Sequence, residues 1–232
     1  MLFLSFDNGF IMIPSIKKIV TIFFACFLSV ANAKSFQSVS FTTDDGAKIF
    51  ANYYPSGKHA VILAHGAIFN KESWEELSSE LSRNNLSVLA IDFRGYGQST
   101  IGSGPSGMYL DILGAINFLD KQPDITSISV LGASMGGGAA AKASTHSKKG
   151  DINKLILLSP MPIANPEQLK GNILYIVSKK ESIAKTIKNQ FNKTPDPKKF
   201  VEIEGSAHAQ HIFKTNQAKN LTKIIIDFLK KD

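Results

Sequence analysis

Cysteine is almost missing from this 232-residue sequence, in which Cys26 stands alone. One thiol cannot build a disulfide framework within the chain, nor a Cys-based zinc or iron–sulfur site, because each needs several sulfur atoms. Arginine is nearly as scarce. Of 26 cationic residues only Arg83 and Arg94 are arginines, so the formal net charge of +7 is carried by lysine. Specific phosphate and base recognition favours the planar, bidentate guanidinium. The pairs Lys17-Lys18, Lys148-Lys149, Lys179-Lys180 and Lys198-Lys199 also lie far apart, with no aromatic platform between them. This pattern describes a solvated basic surface, and no nucleic-acid partner is expected. Nine Pro and seventeen Gly are too few for a fibrous or low-complexity chain, and 44% hydrophobic against 19% charged residues is a globular balance. At ~100–200 residues per domain, the length allows one domain.

Long apolar runs are also lacking. The longest, Ile19 to Val30, is twelve residues, short of the ~20 that cross a bilayer, so no stable membrane anchor is expected. It follows Lys17-Lys18 and precedes Ala31-Asn32-Ala33, the basic, apolar and small-residue layout of a secretory signal peptide. Residues 1–33 are therefore expected to be a signal peptide cleaved after Ala33, with residues 34–232 a single exported domain, periplasmic or secreted. Residues 1–11 add nothing to that layout, which makes Met12 a second candidate start. Phe23-Phe24-Ala25-Cys26 departs from the Leu-led box of a lipoprotein site, so lipidation is not expected. Cleavage would leave a mature chain without cysteine.

Beyond residue 34 the pattern alternates. Phe36–Thr42 and Lys48–Tyr54, separated by Thr43-Asp44-Asp45-Gly46-Ala47, predict a hairpin. Short runs rich in Val, Ile and Leu follow at 60–64, 87–91, 127–131, 154–158, 172–177 and 200–203, as expected of strands buried on both faces. Helical spacing fills most gaps, at 71–84 (Trp74, Leu77 and Leu81 on one face), 110–119, 134–147 and 212–229. Alternating strands and helices predict an α/β fold, a parallel sheet with helices on both faces.

The chemistry collects at strand ends. Gly132-Ala133-Ser134-Met135-Gly136 is a Gly-x-Ser-x-Gly set between a strand and an Ala-rich helix, the context a nucleophile elbow requires. Ser134 is the expected nucleophile, Gly132 and Gly136 the small flanking residues. The loop Ala64-His65-Gly66-Ala67-Ile68 would supply one N–H of an oxyanion hole, from Ala67 ahead of Ile68, and Met135 the other. His65 is expected to be structural. His208, just past the last strand in Gly205-Ser206-Ala207-His208, is the expected general base, ahead of His211, while His59 and His146 read as surface residues. Glu181 is the expected acid that orients the imidazole, with Asp196 and Glu204 as rivals and a salt bridge to Lys179 or Lys180 as its plain structural alternative. His208 and His211 lack a third ligand at any recognisable spacing, so no metal site is expected.

Together these motifs resemble the α/β-hydrolase superfamily along residues 34–232. The matching stretches are His65-Gly66, Asp92-Phe93-Arg94-Gly95-Tyr96-Gly97-Gln98-Ser99, Gly132 to Gly137, Glu181 and Gly205 to His208. The resemblance implies an α/β-hydrolase fold with a mostly parallel eight-stranded sheet, a size similar to dienelactone hydrolase, and a hydrolytic Ser–acid–His triad needing no cofactor. It also marks Asp92–Gly97 as structural. Ser rather than Asp as nucleophile separates the chain from the haloalkane dehalogenase and epoxide hydrolase branches. Only about a dozen residues lie between the runs 154–158 and 172–177, where the superfamily usually inserts its cap, so no cap domain and an open site are expected.

Gly102-Ser103-Gly104-Pro105-Ser106-Gly107 matches a dinucleotide fingerprint by spelling alone, because no strand leads into it. Two function classes follow. One is a serine hydrolase acting through an acyl-enzyme on an ester, thioester or amide of a small or protruding substrate. The other is a noncatalytic binding protein on the same fold. N-terminal sequencing of the exported protein is expected to begin at Lys34; any other start would overturn the cleavage site.

Overall fold

The computed structural model describes residues 36–103 and 107–231. The expected signal peptide lies outside the described residues, as does part of the Gly102–Gly107 stretch. Eight strands form one sheet: β1 (Gln37–Thr42), β2 (Lys48–Tyr54), β3 (His59–Ala64), β4 (Leu86–Ile91), β5 (Ser127–Ala133), β6 (Lys154–Leu158), β7 (Asn172–Ser178) and β8 (Lys198–Ile203). Their spatial order is β1-β2-β4-β3-β5-β6-β7-β8. β1 and β2 pair antiparallel and β2 runs antiparallel to β4, while the other pairs are parallel. The hairpin and all six further predicted strands are present, each within a few residues of its expected bounds, but β8 lies at the edge of the sheet and is not buried on both faces. This is the α/β-hydrolase fold.

Five α-helices cover the sheet: α1 (Glu75–Arg83), α2 (Tyr109–Leu119), α3 (Met135–His146), α4 (Ala184–Lys193) and α5 (Ala218–Lys230). Alternate residues of β3 explain the two faces. Ala60, Ile62 and Ala64 point into a core with Ile112, Ala115 and Leu119 of α2, Ala140 and Ala143 of α3 and Ile187 of α4. Val61 and Leu63 point the other way, to Leu77 and Leu81 of α1 and Leu221, Ile225 and Leu229 of α5. Period-two alternation thus supplies two buried layers from one strand.

Three elements differ from expectation. The helix predicted over 71–84 begins as a 3-10 turn, Lys71–Trp74, because Asn70 caps it by accepting from the Ser73 N–H. The helix predicted over 212–229 is divided: Ala209–Lys214 is 3-10, and the Thr215 Oγ1, which accepts from the Gln217 N–H, turns the chain before α5. No helix was predicted for α4. Yet Ile183, Ile187 and Phe191 repeat at four-residue spacing, with Ala184 beside them, and all pack on the core, so the helical stripe was present and was overlooked. Between β6 and β7 there is only the short 3-10 turn Pro166–Gln168, and no cap domain among the described residues.

The Asp92–Gly97 stretch has the structural role expected of it. The Arg94 guanidinium donates to both Asp45 carboxylate oxygens, at 2.6 and 3.0 Å, and its Nε donates to Asp111 at 2.8 Å. One buried cation therefore ties the β1–β2 turn, the exit of β4 and the first turn of α2 together. The Arg94 hydrogen bonds hold the Asp45 carboxyl at about 2, below its ordinary 3.8. That group's stabilisation is thus complete above its unfolded value and is lost as pH falls from about 4 towards 2. Substituting Arg94→Leu leaves Asp111 buried without its cation and is expected to cost about 3–5 kcal/mol at neutral pH, read by urea denaturation.

Candidate active site

β5 ends at Ala133 and α3 starts at Met135, which leaves Ser134 alone to make the turn between them. Its φ of 51° and ψ of −114° are strained for a residue with a side chain. The strain is held by backbone bonds on both sides: Ser134 N–H donates to Leu158 O at 2.9 Å, and Ser134 O accepts from the N–H groups of Gly138 and Met161. Close approach makes the flanking glycines necessary. A Cβ on Gly132 would lie 2.3 Å from Gly136 O, and one on Gly136 would lie 2.3 Å from Ala64 O. Both expected elbow glycines are therefore where no side chain fits.

The structure brings the three expected residues into one chain of hydrogen bonds. His208 Nε2 lies 2.7 Å from Ser134 Oγ. On its far side, His208 Nδ1 pairs closely with Glu181 Oε1. The second carboxylate oxygen, Oε2, accepts from Ser159 Oγ at 2.8 Å and from the Ser178 N–H at 3.3 Å. Glu181 is buried, and these contacts fix the direction of both of its carboxylate oxygens. The loop that carries His208 is pinned in turn by Ser178 Oγ, which donates to Ala207 O at 2.6 Å.

The competing assignments separate cleanly. Glu204 pairs with Lys179 on the surface, while Glu181 pairs with His208 and, among the described residues, with neither Lys179 nor Lys180. Asp196 is exposed ahead of β8, at the opposite end of that strand from His208. His211 stacks edge-on against Phe69 and does not bond Ser134. His146 is exposed as expected, but His59 is not a surface residue: it is half-buried at the other edge of the sheet, with Nε2 2.7 Å from Ser129 Oγ. Burial next to Lys154 lowers its pKa. Among the described residues, no group of three or more His, Cys, Asp and Glu is placed to hold a metal ion.

His65 is fully buried and acts on the loop. Its Nδ1 donates to Gly66 O at 2.8 Å, its Nε2 accepts from the Phe93 N–H at 3.2 Å, and its ring meets those of Phe93 and Tyr96. Burial lowers its pKa, so it is neutral, with the proton on Nδ1. Ala67 and Ile68 are exposed beyond it. Neither the Ala67 N–H nor the Met135 N–H donates to a protein acceptor among the described residues. The Met135 N–H is also in the first turn of α3, where the helix dipole favours negative charge.

Two contributors were not anticipated. Ser159, the residue after β6, orients the Glu181 carboxylate from a backbone with φ of 41°. Gln210 accepts from the Gly66 N–H at 2.7 Å. A serine ending an apolar strand and a glutamine two residues past a histidine carry no distinctive spacing, so neither was legible.

An eight-stranded sheet with a strained serine after its fifth strand and a Ser–His–Glu chain across its strand ends places this protein in the α/β-hydrolase superfamily. Within that class, the family model Hydrolase_4, described as serine aminopeptidase, S33, matches residues 55–219, and the chain belongs to that family. Over 134 residues it is 34% identical to monoglyceride lipase of Rattus norvegicus, covering 53% of this chain and 43% of the lipase. Over 154 residues it is 29% identical to a multifunctional-autoprocessing repeats-in-toxin of Vibrio vulnificus, covering 60% of this chain and 3% of the toxin. The chain thus spans less than half the length of these curated relatives. In fold it is similar to an esterase of Pyrococcus furiosus, with a TM-score of 0.73 at 19% identity over 84% of this chain and 92% of that one.

The elbow contacts give a direct test. Gly136→Ala, which drives a methyl into the Ala64 and His65 carbonyls, is expected to lower stability by about 1–3 kcal/mol in urea denaturation.

Proposed function

We propose that this chain is a serine hydrolase that cleaves carboxylic esters through an acyl-enzyme, with Ser134 as nucleophile, His208 as general base and Glu181 as the acid that orients it. The hydrogen-bond chain from Ser134 Oγ through His208 to Glu181 carries this reading. His208 Nε2 takes the hydroxyl proton as Ser134 Oγ attacks the carbonyl carbon, and Glu181 stabilises the imidazolium that results. The Ala67 and Met135 N–H groups hold the oxyanion of the tetrahedral intermediate. Its collapse expels the alcohol, which takes the proton from His208. Water then gives a proton to His208 as its oxygen attacks the acyl carbon, and the second tetrahedral intermediate collapses to the acid while Ser134 Oγ takes that proton back from His208. No metal or cofactor is required by any of these steps, and the complete chain of groups gives the noncatalytic reading no support.

The surroundings favour an uncharged, accessible ester. The His208 side chain is 42% exposed. Ile68, beside the oxyanion loop, is 77% exposed, and Met161, whose N–H bonds Ser134 O, is 51% exposed. Ile68 follows the proposed Ala67 donor directly, and Met161 is bonded to the nucleophile's own backbone. A cavity of about 240 Å³ begins one helical turn from Ser134, with Gly138, Ala141, Pro162 and Ile163 on its apolar side and Lys142 and His146 on its polar side. A wider groove of about 920 Å³ between α1 and α5 contains none of the proposed catalytic residues.

The family description names an aminopeptidase, and monoglyceride lipase acts on an ester. An aminopeptidase substrate presents an ammonium group, which a carboxylate would recognise. Glu181 is committed to His208 and Ser159, Asp92 to Lys71, and Glu204 to Lys179. That commitment supports the ester. Export by way of the 17–33 segment completes the proposal.

The wild-type protein is expected to release a burst of p-nitrophenol from p-nitrophenyl butyrate and to be labelled at Ser134 by a fluorophosphonate. Ser134→Ala should abolish both, and Glu181→Gln should lower kcat by about 10³–10⁴-fold. Absence of fluorophosphonate labelling in the wild type would sink the enzyme reading.

A further inference from the structure

We infer that Gln210 is a positioning residue that sets the oxyanion hole, tying the loop that carries the base to the loop that carries the Ala67 donor. The inference rests on the hydrolase reading above and extends it to a residue that touches no substrate.

The Ala67 N–H belongs to the same planar unit as the Gly66 carbonyl and points opposite to it. Gly66 O accepts from His65 Nδ1 at 2.8 Å and from the Phe69 N–H at 3.0 Å. Those two bonds fix one plane. Glycine still leaves the chain free to turn about its own φ and ψ, more so than any other residue. The preceding plane must be held separately, and Gln210 Oε1 does that by accepting from the Gly66 N–H at 2.7 Å. A backbone N–H can only donate, so the amide must present its oxygen there. Its Nε2 then donates to Ser73 Oγ at 2.9 Å, and Ser73 Oγ donates to Asn70 O. Gln210 is thereby anchored at both ends.

Its position is as specific as its bonds. Gln210 is 3% exposed. A Cβ built on Gly66 would lie 3.5 Å from both Gln210 Oε1 and Ser134 Cβ, so the held glycine is against the nucleophile itself. Between His208 and Gln210 stands Ala209, buried, with φ of 48°. This left-handed turn directs one side chain to Ser134 and the other to Gly66. The strain at Ala209 is borne where two parts of one reaction, proton removal and oxyanion binding, are set from neighbouring residues. A neutral amide suits the place, because a carboxylate there would set a negative charge beside a developing oxyanion.

Two variants test the inference, with p-nitrophenyl butyrate as substrate and a trifluoromethyl ketone as the probe that forms a tetrahedral oxyanion on Ser134. Gln210→Met keeps the volume and removes both bonds. It is expected to lower kcat by about 10–100-fold, with KM within about threefold, and to weaken the ketone by a similar factor, below the ~10²–10³ of losing a donor outright. Gln210→Glu keeps the acceptor and adds a charge. Its kcat relative to wild type should rise as pH falls, because the protonated carboxyl restores one acceptor and one donor. A Gln210→Met kcat within twofold of wild type, a loss of kcat without weaker ketone binding, or a flat Gln210→Glu to wild-type ratio across pH would each overturn it. Should Gln210→Met not fold, the Gln210→Glu profile decides alone. These outcomes are read against a wild type that reacts with the fluorophosphonate; a wild type that does not react overturns the hydrolase reading and this inference with it.

Discussion

The close approach of the first turn of α3 to β3 and β5 is the constraint from which the site follows. Gly136 lies against the Ala64 and His65 carbonyls, and Gly132 against Gly136. Any side chain at either position would push the helix outward. With both absent, α3 starts directly over the ends of its two strands, and Ser134 is left in the only conformation that joins them. Its strained dihedrals are thus a consequence of how closely α3 packs on the ends of β3 and β5. The same approach brings the N–H of Met135, with the positive end of a twelve-residue helix behind it, next to the loop that follows β3.

The remaining groups reach Ser134 because parallel strands all end on one edge. Glu181 follows β7 and His208 follows β8, neighbours in the sheet, so the acid and the base arise side by side. Each loop is then fixed by bonds to the next. Ser178 at the end of β7 holds Ala207, Ser159 at the end of β6 holds Glu181, and Leu158 O holds the Ser134 N–H. Hydroxyl groups at strand ends perform this work where longer side chains would compete for space. These bonds fix the loops of Ser134, Glu181 and His208 relative to one another.

Much of this was legible because its physical causes are local. Strands buried on both faces must be apolar throughout, so β3, β5, β6 and β7 announce themselves. The elbow shows in Gly132, Ser134 and Gly136 because close approach admits only small residues, and a strand and helix at the right distance around them make the spacing specific. Glu181 was harder to choose than Ser134, since Glu204 lies closer to His208 in sequence; the pairing of Glu204 with Lys179 is set by side-chain direction on the exposed end of β8. Helix α4 was overlooked although Ile183, Ile187 and Phe191 repeat at helical spacing, because the lysines and asparagines between them dilute the stripe to one apolar residue per turn. His59 was misread because burial at the lower edge of β3 comes from β5 and α5, elements distant in sequence. Ser159 and Gln210 act through contacts with residues 22 and 144 positions away, and no local pattern encodes such a distance.

The short connection from β6 to β7 shows why an uncapped chain can still hold a complete site. Its first three residues are each committed to the catalytic edge: Ser159 to Glu181, Pro160 to the space above Gly137, and Met161 to Ser134 O. A cap grafted before Met161 would pull these contacts apart. Beyond Met161 the chain lines the small cavity beside α3 and then returns through Pro166–Gln168 to β7. Its length is therefore divided between building the nucleophile's surroundings and closing the sheet, with none left to cover the His208 ring. Exposure of that ring follows from how few residues the connection contains. Ile68 after β3 and Met161 after β6 are likewise left open to solvent, because no further chain from this connection reaches over them.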